Sequence, residues 1–81
     1  MEESREKMQQ DMAETLRSLR ARSGLSQREL AERAGFSRSQ YAYYEVGKIL
    51  PDLFSLKKIA EALKVDISAL FSPERDAGVA E

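Results

Sequence analysis

The chemistry open to this chain is narrow, because none of its 81 residues is a cysteine or a histidine. Disulfides and zinc sites of the usual kind are closed to it, as are thiolate and imidazole catalysis. Acid–base or nucleophilic work would have to rest on carboxylates or hydroxyls in a domain with little room for a pocket. No credible nucleophile–base pair stands out, so an enzyme is the weakest reading. The residue types do offer cationic and hydroxyl donors, and these are unevenly placed. Residues 17–48 hold seven basic side chains (Arg17, Arg20, Arg22, Arg28, Arg33, Arg38, Lys48) against three acids (Glu29, Glu32, Glu45), a net of +4. The first sixteen residues are net −3 and the last thirty-three net −2, leaving −1 for the whole. That total speaks against an anionic partner, but contact with an anion depends on the field at the contacting face. The sign asymmetry is the informative quantity.

The elements that must hold these side chains are helices. Glycines at 24, 35 and 47 punctuate the pattern, and each can end a helix as a left-handed residue. Start signals follow them. Ser26-Gln27-Arg28-Glu29 and Ser37-Arg38-Ser39-Gln40 both have the capping-box form, serine then Glu or Gln three residues on. Asp52 after Pro51, and Asp66 before Ile67, are further N-cap candidates. Met12, Leu16 and Leu19 give a first helix ending near Ser23, and Leu30, Ala31 and Ala34 a short second. Tyr41 and Tyr44 mark the inner side of a third; Arg38, Ser39 and Tyr43 fall a turn apart on its outer side. Leu53, Leu56, Ile59, Ala60 and Leu63 form a 3.6-period stripe on a fourth. Ile67, Leu70 and Phe71 make a short fifth, stopped by Pro73. Strand-like alternation is absent, so the fold class is all-α with five helices.

One domain is all that this length allows. Such a small chain buries only about 60% of its unfolded surface, which favours dimerisation or very regular packing. Residues 1–10 read either as an acidic arm or as an extension of the first helix, residues 11–71 as the domain, and 72–81 as a flexible tail. No apolar run approaches the roughly 18 residues of a membrane helix, and the acidic N-terminus lacks a secretory pattern, so a cytoplasmic protein is expected.

Two short helices joined by a tight glycine turn form a helix-turn-helix pattern. Here the sequence resembles the lambda-repressor/Cro-like regulators of bacteria and phages. The resemblance rests on Leu16-x-x-Leu19-Arg20, Gly24-Leu25-Ser26-Gln27, Leu30-Ala31, Ala34-Gly35-Phe36-Ser37, Glu45-x-Gly47-Lys48, Pro51 and Ile59-Ala60-x-x-Leu63-x-Val65. It implies that the third helix lies in the DNA major groove with its first residues against base edges. Arg38, Ser39 and Tyr43 match the family's reading positions. Arg38 offers two donors suited to guanine N7 and O6. Ser39 is short and discriminates poorly, and Tyr43 could reach a phosphate or a thymine methyl. Gln27 matches a glutamine that bonds a phosphate and braces the reading helix, at a helix start where N–H groups attract anions. Ser26, Ser37, Gln40 and Lys48 match further backbone-contact positions. The resemblance also implies an ion pair between Arg20 and Glu45 that joins the first and third helices.

Blander readings stand beside these. Tyr41 and Tyr44 read as core residues whose hydroxyls reach the surface. Ser26 and Ser37 can be caps alone, and the Gln40 amide cannot fully serve both a capping box and DNA. Arg17, Arg22, Arg33, Lys57, Lys58 and Lys64 read as solvated charge. The sequence departs from the family pattern at Ile49 and Leu50, where basic residues are common, and at Tyr41 and Phe54. Ile49, Leu50, Phe54 and Phe71 are more apolar than a monomer surface wants; some of them must be core, and the remainder form a candidate interface patch. The resemblance therefore implies a sequence-specific transcriptional regulator, a repressor or controller, bound as a homodimer to a pseudo-palindromic operator. Its partners would be double-stranded DNA and a second copy, with no cofactor, metal, membrane or small-molecule ligand. The alternative is a protein-interaction module of antitoxin type that keeps the fold and binds DNA weakly.

Overall fold

The computed structural model describes residues 2–71, which form four α-helices and a closing 3-10 turn. These are α1 (Glu2–Ser23), α2 (Gln27–Ala34), α3 (Arg38–Glu45), α4 (Leu53–Leu63) and the turn Ile67–Leu70. No strand occurs among the described residues. Nothing from Glu2 to Arg22 interrupts a helix, and residues 2–10 form turns of α1 continuous with those that follow. The tail expected at 72–81 lies outside the described residues.

The short helices begin where a side chain can accept an orphan N–H. At α2 the box is closed in both directions: Glu29 N–H donates to Ser26 Oγ at 3.0 Å, and Ser26 N–H donates to Glu29 Oε1 at 2.9 Å. At α3 it is half closed. Gln40 N–H donates to Ser37 Oγ at 3.0 Å, but the Gln40 amide turns one turn onward and donates to the Tyr44 hydroxyl at 3.2 Å. The like-spelled patterns diverge because Glu29 can only accept, whereas Gln40 has an N–H₂ to place and a hydroxyl within reach. Asp52 caps α4 by accepting from Ser55 N–H at 2.8 Å, and Asp66 caps the last turn by accepting from Ser68 N–H at 3.2 Å. Between α2 and α3 the chain reverses at Gly35, whose φ of +86° a side chain would strain. Phe36 N–H then closes the turn on Ala31 O at 2.8 Å.

Met12, Leu16, Leu30, Ala31, Tyr41, Tyr44, Leu56, Ile59, Leu63 and Leu70 are drawn into one core, which all four helices and the last turn enter. Two expectations change here. The apolar stripe on α4 starts at Leu56, since Leu53 is 69% exposed, while Leu50 packs against the core from the preceding loop. Periodicity shows which residues share a face; it does not show how far along that face the neighbouring helices reach. The expected fifth helix is a single 3-10 turn, with i→i+3 bonds from Ala69 N–H to Asp66 O and Phe71 N–H to Ser68 O. A segment this short between the Asp66 cap and Pro73 suits 3-10 bonding, which is used in such pieces.

Candidate nucleic-acid interface

The inner side of α3 is fixed by one carboxylate. Glu45 is 1% exposed and accepts from three helices at once. Arg20 of α1 donates through Nε to Oε2 at 2.6 Å and through Nη2 to Oε1 at 3.1 Å. Gln27 Nε2 of α2 reaches Oε1 at 2.9 Å, and the Tyr41 hydroxyl reaches Oε2 at 2.6 Å. Arg20 Nη1 donates to Leu25 O at 2.9 Å, so all three of its nitrogens are engaged. Arg17 Nη1 donates to the Glu45 carbonyl oxygen, at the end of α3.

Opposing influences act on the ionisable groups of this network. Burial pushes the Glu45 carboxyl upward, but hydrogen bonds from Arg20, Tyr41 and Gln27 outweigh it and hold the group below its ordinary value. The hydrogen bond to Glu45 raises Arg20 against the cost of its own burial. Burial, then the bond to Glu45, raises the Tyr41 phenol. Tyr41 and Tyr44 are core residues, but their hydroxyls turn inward or along the helix. The Tyr41 hydroxyl is consumed by Glu45, and the Tyr44 hydroxyl accepts from Gln40. Arg17 likewise departs from the solvated reading: a carbonyl lies within its reach, contributed by a residue 28 positions away.

The outer side of α3 is open. Ser37, Arg38, Ser39, Gln40 and Tyr43 are exposed, and Arg38 and Ser39 have no side-chain hydrogen bond or ion pair among the described residues. Lys48 N–H bonds to Tyr43 O at 3.0 Å, and Lys48 Nζ stands 5.6 Å from the centre of the Tyr43 ring. These two side chains therefore form a pair at the far end of the helix. Gly47, which positions that loop, has a φ of +82°, and a Cβ there would meet Gln10 Nε2 at 2.5 Å.

At the near end, Gln27 and Arg38 come together around an open depression of about 400 Å³, lined also by Arg20, Ser26 and Arg28. The pattern of spacings did not single out Arg28. Its position next to Gln27, in the first turn of α2, was the available signal. Ser39 belongs to neither group. This arrangement can hold an extended polyanion along α3, with donors at both ends and short side chains between them. Among the described residues no cluster of acidic side chains could hold a metal, and no helix is long and apolar enough to cross a membrane.

Comparison with known proteins identifies the family and the fold. The helix-turn-helix family model matches residues 16–70. A SPbeta prophage-derived HTH-type transcriptional regulator of Bacillus subtilis, YonR, is 39% identical over 57 residues, covering 70% of this chain. The chain spans about half of that relative's length, 53%. The restriction-modification controller protein C.AhdI of Aeromonas hydrophila is 35% identical with a TM-score of 0.76, over 78% of this chain and 91% of that one. The hypothetical transcription factor NHTF of Neisseria has a TM-score of 0.83 at 27% identity, over 90% of this chain and 84% of that one. The clp gene regulator ClgR of C. glutamicum has a TM-score of 0.75 at 26% identity, over 90% of this chain and 92% of that one. The chain belongs to the lambda-repressor/Cro-like helix-turn-helix family of DNA-binding transcriptional regulators.

Proposed function

We propose that this chain is a sequence-specific repressor or controller that binds a pseudo-palindromic operator as a homodimer, with α3 in the major groove. The observation that carries the reading is the division of α3, whose inner face is wholly partnered while Arg38, Ser39 and Tyr43 stand exposed along its outer face. Arg38 reads a guanine through its fork. Ser37, Gln40, Lys48 and the second N–H of Gln27 hold phosphates on either side. Tyr43, braced by Lys48, meets a thymine methyl or a phosphate. Such a protein works where the chromosome is, in the cytoplasm.

A single reading helix covers too few base pairs for useful specificity, and two-fold symmetry is the commonest remedy. The exposed apolar side chains Leu53 (69%), Phe54 (68%) and Phe71 (57%) support a self-complementary contact through the start of α4 and the last turn. That contact leaves α3 free. The same apolar face favours the second reading, a protein-interaction module that binds DNA weakly. Selection of bound duplexes from a random-sequence pool, with sedimentation of the intact chain and of Phe54→Glu, separates them. An enriched inverted repeat with half-sites about one helical turn apart, and a dimer that Phe54→Glu dissociates, supports the regulator. A pool without enrichment supports the interaction module.

A further inference from the structure

We infer that Arg28 is a DNA phosphate contact, seated beside the base-reading Arg38 in the depression at the start of α2; this rests on the DNA-binding reading above. The depression is lined by three guanidiniums, one serine and one glutamine, and by no carboxylate. Its inner wall is neutral in effect, because Arg20 spends its charge on Glu45 and its remaining nitrogen on Leu25 O. The two outer arginines are different. Arg28 and Arg38 come from adjacent helices, and neither side chain has a hydrogen bond or ion pair among the described residues. The acid nearest to Arg28 in sequence is Glu29, and its carboxylate is occupied by the backbone N–H of Ser26.

Two unpaired cations facing one open depression make a local positive field that water weakens but leaves without a counter-charge. An oxyanion beside Arg28 supplies that counter-charge and accepts from the Arg28 fork, leaving the Arg38 fork for a base edge. The depression is also continuous with the reading helix, since Arg38 is both one of its walls and the first residue of α3. An anion that belongs to a duplex therefore fits better than a free ion. A phosphate held by Arg28 fixes the backbone next to the base that Arg38 addresses. Arg28 would contribute affinity and register without reading sequence.

The test is a salt series with the preferred duplex, comparing the intact chain with Arg28→Gln and Arg38→Ala. Arg28 is exposed and outside the core, and a melting curve for each variant checks that it folds. Arg28→Gln is expected to weaken binding about five-fold on every duplex and to lower the slope of log K against log salt by about one, leaving base preference unchanged. A slope equal to that of the intact chain overturns the assignment, and so does a loss confined to one sequence. An intact chain that binds no duplex at any salt sinks the DNA-binding reading itself, which the two previous outcomes leave standing. In a second arm, the side-chain Nε–H signals of Arg28 and Arg38 are followed by NMR while inorganic phosphate or duplex is added at matched ionic strength. Both signals should move with the duplex at lower concentration. Movement with inorganic phosphate alone would identify a free-anion seat and contradict the proposal.

Discussion

On the inner face of α3, Tyr41, Tyr44 and Glu45 are buried and every buried polar side-chain atom has a partner; on the outer face Arg38 and Ser39 are exposed and have none. The two faces belong to the same eight residues. The difference shows how a short helix, unstable alone, becomes a rigid reading head. Its orientation is set from behind by Arg20, Gln27 and Arg17, so Arg38 and Ser39 need no share in holding the fold. A surface held in this way can meet a ligand with little ordering cost, which is the usual gain from preorganisation.

The largest expected effect comes from breaking the inner face. Glu45→Ala leaves the Arg20 guanidinium and the Tyr41 hydroxyl without their acceptor, and removing one partner of a buried pair costs about 3–5 kcal/mol. Arg20 keeps roughly a fifth of its side chain exposed, at 21%, so the lower end applies. In a domain this small that is most of the stability, and urea unfolding would show it. A variant that unfolds like the parent would mean that the outer face does not depend on the inner one.

Acid should act on the same carboxylate more gradually. Glu45 is held below its ordinary value of 4.5 when folded, so the unfolded chain takes up its proton first as pH falls. The stability it contributes is complete above that value and is lost as pH drops through the lower folded one. Glu45→Gln should flatten this part of the stability curve, as measured by thermal melting between pH 6 and about 3. An equally steep acid loss in the variant would assign the effect to other carboxylates.

The smallest effect is a control that touches neither face. Lys64 ends α4 with a φ of +62°, the one non-glycine residue in the left-handed region among those described. Lys64→Gly should raise stability by roughly 0.5–1 kcal/mol by relieving that conformation. Duplex preference should not change. A shift in preference would show that the reading helix responds to strain elsewhere in the fold.

Much of this was legible in the sequence because it depends on neighbours along the chain. The caps at Ser26, Ser37, Asp52 and Asp66 need only a side chain and an N–H two or three residues away. The exposure of Arg38, Ser39 and Tyr43 follows from helical spacing once Tyr41 and Tyr44 are assigned to the core. What was illegible depends on distance in sequence. The Arg17–Glu45 contact spans 28 positions and no local pattern announces it, whereas the brace from Gln27 and the Arg20–Glu45 pair were implied by the resemblance alone. The exchange of Leu53 for Leu50 in the core reflects where the helices end, which periodicity does not encode. The grouping of Arg28 with Arg38 arises only when two capped helix starts are folded against each other.

The central claim is that the two faces of α3 do separate work, and Arg38→Ala tests it most directly. The measurement is the affinity of this variant for the preferred duplex and for each single-base change in one half-site, with a melting curve beside it. The account predicts an unchanged melt, a loss of about 1–3 kcal/mol on the preferred site, and preference erased at one guanine while other positions keep theirs. A uniform loss across all duplexes, or a lowered melting temperature with preference intact, would contradict it.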